Sequence, residues 1–381
     1  MLVAIESRTV SAVNYRLTKR TGDQHLKLEN YFDHAATTPV DPEVVEAMMP
    51  FLTDKFGNAS SIHQWGRDAK GAVFKARQQV ADLIGAEDAE QILFTSGSTE
   101  GCNTILRAMC GDVWVSPFEH PAVRQPACKL GFNVLRNQGW QLLPPRSADG
   151  ICVMKVNNET GAILSPRVLP DPFTFSDITQ AVGKIPIDAS EFDAAVISGH
   201  KFYGPKGVGA LYVKDPNWLR ERECLFMGGG QEYGLRGGTL NVPGIVALGK
   251  AAELAIHQQA SNYDNACKLR SLFADEMTKI SGAAVNQAPS QSPFICSVTF
   301  TEVVAQALVV DLDARGFAVS AGSACSSSGE SASPTLSALG LSPSEALGTL
   351  RISFSKFNTE ESTINLARSV QDSVSRLRSR H

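Results

Sequence analysis

The chain has 381 residues, 43% of them hydrophobic and 19% charged, with a formal net charge of −4. That length can bury the cores of about two domains, and the slightly acidic balance gives no reason to expect nucleic acid or an anionic membrane surface as a partner. No apolar run approaches the roughly 18 to 20 residues of a membrane span. The eight cysteines form no CxxC pair, no zinc-like His/Cys spacing and no dense disulfide pattern, so no metal is expected and a reduced cytoplasm is the simplest setting.

Residues 1–29 mix Arg8, Arg16, Lys19 and Arg20 with Glu6, Asp23 and Glu29. A transit peptide avoids such acids and a signal peptide needs a longer apolar core, so this reads as a short N-terminal extension. Asp41-Pro42 opens a helix reaching Leu52. A stronger helix is predicted over 64–84, where Val73, Ala76, Val80, Leu83 and Ile84 share one face. Short apolar runs then recur at 92–95, 113–115, 151–156, 173–178, 194–197 and 209–213, alternating with helices or loops. The fold class this predicts is α/β, a layered large domain around a mostly parallel sheet. A helical stretch over 245–280 bridges to a second unit. There 294–300, 305–315, 350–354 and a helix over 359–378 suggest a smaller α+β domain. The expected division is a large domain over 30–255, with 30–44 able to pack against the other unit, and a small domain over 256–381. His25, His34, His63 and His257 have no catalytic partner in sequence and read as surface or structural.

The segment Ser198-Gly199-His200-Lys201-Phe202-Tyr203-Gly204-Pro205 seats a lysine where an apolar strand ends in a glycine-rich turn. In open α/β sheets such edges line the ligand crevice, and a desolvated lysine there can act as an amine nucleophile and form a Schiff base. The strand-like run ending at Asp177 places a carboxylate on a neighbouring edge. The run 92–101 is a strand, a glycine turn and a helix start with Ser98 and Thr99 at its first positions, and such a terminus suits a phosphate. Alone, these residues read as a surface lysine, a turn carboxylate and ordinary N-caps. Together they supply what a pyridoxal phosphate site requires: an amine, an acid for the ring nitrogen and donors for a phosphate.

Over roughly residues 30 to 378 the chain resembles the cysteine desulfurases, fold-type I pyridoxal enzymes of the class V aminotransferase group. The resemblance rests on Tyr31-Phe32-Asp33-His34-Ala35-Ala36-Thr37-Thr38-Pro39, Phe56-Gly57-Asn58-Ala59-Ser60-Ser61-Ile62-His63, the Ser96 to Thr99 turn, Val156-Asn157-Asn158-Glu159-Thr160-Gly161 and the Lys201 segment. It continues through Gly228-Gly229-Gly230-Gln231-Glu232, Arg236-Gly237-Gly238-Thr239, Ser320-Ala321-Gly322-Ser323-Ala324-Cys325 and Leu350-Arg351-Ile352-Ser353-Phe354. It implies that Lys201 binds the coenzyme, Asp177 pairs with its pyridine nitrogen and Gln180 bonds its phenolic oxygen. Ser198, His200 and Thr99 would hold the phosphate, with Ser98 close by through its backbone and Thr239 reaching the site of a partner subunit, hence a homodimer. His120 would stack on the ring and move protons, and Arg351 with Asn158 would clamp the carboxylate of L-cysteine.

Cys325 lies in a Ser/Gly/Ala run from 320 to 333 whose composition predicts a mobile loop. By the same resemblance its thiolate would take sulfur as a persulfide, leaving alanine, and pass it to an acceptor or iron–sulfur scaffold protein. The long loop is similar to that of the group I desulfurases of nitrogen fixation and iron–sulfur housekeeping. Other readings stay open: a selenocysteine or cystine lyase that does not need Cys325, or a trimmed, non-catalytic sulfur-transfer partner. The large domain departs from the family by shortened stretches between His120 and Asn157 and between Gly161 and Asp177, the latter without most of a crossover helix. The chain also stops soon after its last helix, and Gln231 stands where many relatives carry histidine.

Overall fold

The computed structural model describes residues 27–222, 225–322 and 333–379. Most of the N-terminal extension, and Cys325 with its loop, lie outside them. Helix α1 (Pro42–Met48) is capped by Asp41 and continues as a 3-10 turn over Met49–Leu52. Helix α2 (Gln64–Ile84) coincides with the predicted stretch, because His63 caps it by accepting the Gly66 N–H and its buried stripe includes Val73, Ala76, Val80 and Ile84.

A seven-stranded sheet carries the larger unit. In chain order its elements are β1 (Ile92–Thr95), α3 (Ser98–Ala108), β2 (Val113–Val115), α4 (Pro121–Lys129) and β3 (Asn133–Val134). A hairpin, β4 (Arg136–Gln138) and β5 (Gln141–Leu143), precedes β6 (Gly150–Cys152), β7 (Phe173–Asp177), β8 (Ala194–Ser198) and β9 (Gly209–Val213). The spatial order is β1-β9-β8-β7-β6-β2-β3. Strands β3, β2, β6, β7 and β8 run parallel, whereas β9 is antiparallel to both β8 and β1. The reason is local: the turn 199–208 returns the chain directly, without the crossover that parallel pairing needs.

Side-chain alternation divides the sheet between two cores. Ile92, Phe94, Ala195, Ile197, Ala210 and Tyr212 meet α2 and the start of the long helix, while Leu93, Val196, Leu211 and Val213 meet α3 and α4. Strand β6 is shorter than the predicted 151–156, but its backbone stays on β7 beyond Cys152 through Val153 N to Phe175 O (3.1 Å) and Lys155 N to Asp177 O (3.0 Å). The crossovers 153–172 and 178–193 contain no α-helix. Both still exceed the dozen or so residues a parallel connection requires.

Helix α5 (Pro216–Arg220) leads to α6 (Val242–Thr278), which up to Ala255 belongs to the larger unit's core and from Leu269 to a separate one. The chain goes on through β10 (Ala283–Val285), β11 (Ile295–Phe300), α7 (Ala305–Ala314), β12 (Ser320–Ala321), α8 (Pro334–Ala338), α9 (Pro343–Leu347), β13 (Thr349–Ser353) and α10 (Glu360–Arg378), and the second core draws on β11, α7, β13 and α10, whereas the end of α8 packs beside Phe118 and Ile151. Its four-stranded sheet, ordered β10-β11-β13-β12, is antiparallel. Phe32 joins this core, and Tyr31 and Asp33 bridge to Ala318 and Ser353, so the segment before α1 packs on the smaller unit. Among the described residues no helix is long and apolar enough to cross a membrane.

Candidate active site

Adjacent parallel strands deliver the two principal candidates to one edge. Strand β8 ends at Ser198 and runs into the 3-10 turn Gly199–Lys201, while β7 ends at Asp177. Lys201 Nζ donates to the carbonyls of Ala35 (2.6 Å) and Ala36 (2.7 Å). Asp177 is buried, and its Oδ1 accepts the Thr179 N–H at 2.9 Å. Gln180 is buried too: its Nε2 donates to the Ala35 carbonyl Lys201 uses, and its Oε1 accepts from Lys184 Nζ, both at 2.8 Å.

His120 caps α4, its Nδ1 accepting the Ala122 N–H at 3.1 Å. Burial pulls its pKa down; Asp177 pushes it up, and Lys201, Arg124 and Arg351 pull it down again. One ring thus feels both strand-end groups and the β13 arginine. Since Nδ1 accepts, the neutral imidazole keeps its proton on Nε2.

The turn joining β1 to α3 closes the other end. Gly97 occupies the N-cap position of α3 at φ 155° with no side-chain cap. Gly209 comes close enough that a Cβ there would lie 2.7 Å from the Gly97 Cα. These two glycines bring the first N–H groups of α3, at Ser98 and Thr99, close to the end of β8, where Ser198 is buried. His200 lies 3.1 Å through Nδ1 from Thr37 Oγ1, and burial, then Lys201, Lys206 and Lys184, take it down to about 4.

Arg351, buried on β13, donates through Nη1 to the Asn158 carbonyl (2.9 Å) and through Nη2 to Asp33 Oδ1 (2.8 Å), while its Nε has no partner. So Arg351 and Asn158 do meet, though through the Asn158 backbone. Thr239 is exposed in the single chain. Cys325 lies outside the described residues, but the residues flanking its loop converge here: Ser320 pairs with Arg351 in the ladder, and Ser333 Oγ donates to Glu159 Oε2 at 2.5 Å.

Four residues escaped the sequence reading as site members. Asp33 steadies Arg351, Glu159 holds Ser333, and Lys184 holds Gln180. Buried Glu119, beside His120, accepts from Ser116 Oγ (2.6 Å) and Met154 N (2.7 Å), and burial pushes its pKa up to about 8. Asp33 and Glu159 lie within the motifs at 31–39 and 156–161, but their partners are far away in the chain. His34, also buried, bonds Ser355 and is held neutral at about 3 by burial and Lys184, in keeping with a structural role.

The donor set fits pyridoxal phosphate. An uncapped helix terminus faces a buried serine, an orphaned buried guanidinium nitrogen awaits an acceptor, and three cations, Lys201, Lys184 and Arg351, share the neighbourhood. Such a cavity suits a phosphate and a carboxylate.

The family pattern "Aminotransferase class-V" matches residues 30–366. A cysteine desulfurase IscS of Dictyoglomus turgidum is 37% identical over 370 residues, covering 88% of this chain and 92% of that protein. Among solved structures, a NifS-like protein superposes with a TM-score of 0.81 at 31% identity, covering 91% of this chain and all of that one. Another, SspA in complex with cysteine, gives 0.72 at 31% identity, over 87% of this chain and 100% of that one.

Proposed function

The chain belongs to the class V aminotransferase family, within its cysteine desulfurases, and from that we propose how its own residues divide the work. The enzyme uses pyridoxal 5′-phosphate to convert L-cysteine to L-alanine, with the sulfur leaving for iron–sulfur or other sulfur-compound biosynthesis. When bound, the coenzyme supplies an aldehyde for the amine and a protonated ring that draws off electrons. Lys201 provides the amine that anchors it and later carries protons. Asp177 holds the proton on the ring nitrogen, and Gln180 donates to the phenolic oxygen. Ser98, Thr99, Ser198 and His200 bind the phosphate, joined by Thr239 of a second subunit. Arg351 orients the substrate carboxylate with Asn158, and its unpartnered Nε is the donor free to do so. His120, neutral with its proton on Nε2, stacks on the ring and delivers that proton. Cys325, as thiolate, takes the substrate sulfur, becoming a persulfide as the carbon–sulfur bond breaks and alanine is released.

The observation that carries this reading is the placement of Lys201 and Asp177 at the ends of adjacent parallel strands, both acting on His120. A homodimer is supported by apolar side chains left in solvent, among them Phe56 (70% exposed), Ile62 (90%) and Met227 (88%). Free thiols at Cys102, Cys110 and Cys128 accord with a cytoplasmic setting. A sulfur-acceptor or scaffold protein would receive the persulfide.

The test is purified protein with coenzyme and L-cysteine. Wild type should show a visible coenzyme band, alanine and a Cys325 persulfide. Lys201→Ala should lose the band. Cys325→Ala should keep it and lose alanine formation. Undiminished turnover in Cys325→Ala would point instead to a selenocysteine or cystine lyase, and no band even in wild type to a non-catalytic partner.

A further inference from the structure

Lys184 is a buried cation to which the reaction assigns no task. It lies in the turn after β7, 8% exposed, and among the described residues the charges that act on it are those of Lys201 and Arg351, with no carboxylate beside them. Its surroundings are unfavourable to charge. Lys201 and His200 face it from the turn after β8, Arg351 from β13, and His34 from the segment before α1. Burial, then Lys201 and Arg351, bring its pKa down to about 7. An uncompensated buried lysine costs stability, so the contact it does make calls for a reason. That contact is Nζ to Gln180 Oε1 at 2.8 Å.

An amide side chain can turn about its last bond and exchange its oxygen and nitrogen. The Ala35 carbonyl only accepts and a protonated Lys184 only donates, so between them the amide turns Oε1 to Lys184. The NH2 then faces the opposite way, toward the Ala35 carbonyl that also holds Lys201 Nζ. We propose that Lys184 is a positioning residue that locks the Gln180 amide with its N–H groups toward Lys201, so that Gln180 presents a donor to the phenolic oxygen of the bound coenzyme. This rests on the function proposed above.

The test titrates apo-protein with pyridoxal phosphate and reads both affinity and the position of the visible band. Lys184→Met keeps the length and removes the donor. Gln180→Glu keeps an acceptor for Lys184 but offers the coenzyme no N–H, and it carries the test should the first variant fail to fold. Each is expected to bind coenzyme about 10-fold more weakly with a displaced band. In a Gln180→Leu background, adding Lys184→Met should change affinity less than about twofold, because the amide it positions is gone. Wild-type affinity and band in Gln180→Glu or in folded Lys184→Met, or an undiminished Lys184→Met effect without the amide, would overturn the proposal while the wild-type band leaves the function standing. A wild type that takes up no coenzyme would overturn both.

Discussion

At residue scale the site depends on backbone conformations as much as on side chains. Gly97 sits at φ 155°, ψ 177°, a region open essentially to glycine alone. A Cβ there would meet only Ser198 Oγ at 3.6 Å, an ordinary contact, so the penalty for a side chain is conformational. Gly97→Ala is expected to destabilise the apo-protein by about 1–3 kcal/mol in urea unfolding and to weaken coenzyme binding, since the turn must shift to relieve φ. Equal urea midpoints would show that the turn tolerates a side chain. Lys201 and Asp177 were legible in sequence because Asp177 closes an apolar strand and Lys201 lies in the turn just after one, and a strand end is a place that patterning can find. Asp33 and Glu159 were not, since their value comes from Arg351 and Ser333, which only the fold brings near. Lys184 was hidden differently: Gln180 is four residues away, but the segment is a turn, so helical spacing gave no cue.

At the scale of elements, α2 links the larger core to the glycine-rich segment that carries Thr239. Arg77 of α2 forks onto Glu232 through Nη1 (2.8 Å) and Nη2 (2.6 Å), and Glu232 also accepts the Phe94 N–H of β1 at 2.7 Å. Both charges are buried, so removing one strands the other. Glu232→Gln should cost about 3–5 kcal/mol by urea denaturation, against near zero if the pair were solvated. Arg236, from the same segment, pairs with Glu100 of α3, whose Oε2 accepts the Ser96 N–H, so the segment is tied to the β1–α3 turn at a second point. Helix α6 meets α2 at Gly249, where a Cβ would lie 2.6 Å from the Ala76 Cα and 2.5 Å from Gln79 Oε1. Gly249→Ala should therefore cost about 1–3 kcal/mol by overpacking, and an unchanged urea midpoint would mean the helices part without penalty. Helices and strand ends were largely readable because amphipathic stripes and caps are local. The direction of β9 was not, since it follows from how briefly the chain turns after Lys201.

At the scale of the molecule, we propose two domains, 30–255 and 256–381, meeting within α6, because Ala255 and Leu269 belong to different cores and residues 30–34 join the second. The candidate site lies where they meet: β7, β8 and α3 bring Asp177, Lys201 and the β1–α3 turn, while β13 brings Arg351. The general α/β class was legible from alternating runs, but this meeting point was not, since no sequence period records which side of one domain faces the other. The buried ionisable groups there make stability depend on pH with opposing signs. His34, about 3 when folded and 6.5 ordinarily, is held neutral, so its contribution is present above 6.5 and lost as pH falls toward 3. Lys184, about 7 against 10.5, likewise loses its contribution as pH falls from 10.5 through 7. Glu119 has the reverse sign. Its folded pKa of about 8 exceeds the ordinary 4.5, so the folded state keeps a proton the unfolded chain releases, and its contribution is lost as pH rises from 4.5 through 8. Glu119→Gln retains an oxygen to accept from Ser116 and Met154 but does not ionise. Urea unfolding of the apo-protein at pH 5, 6.5 and 8 should show the variant gaining on wild type by on the order of a few kcal/mol as pH rises. Parallel stability curves would mean that Glu119 ionises in the folded protein much as it does in water.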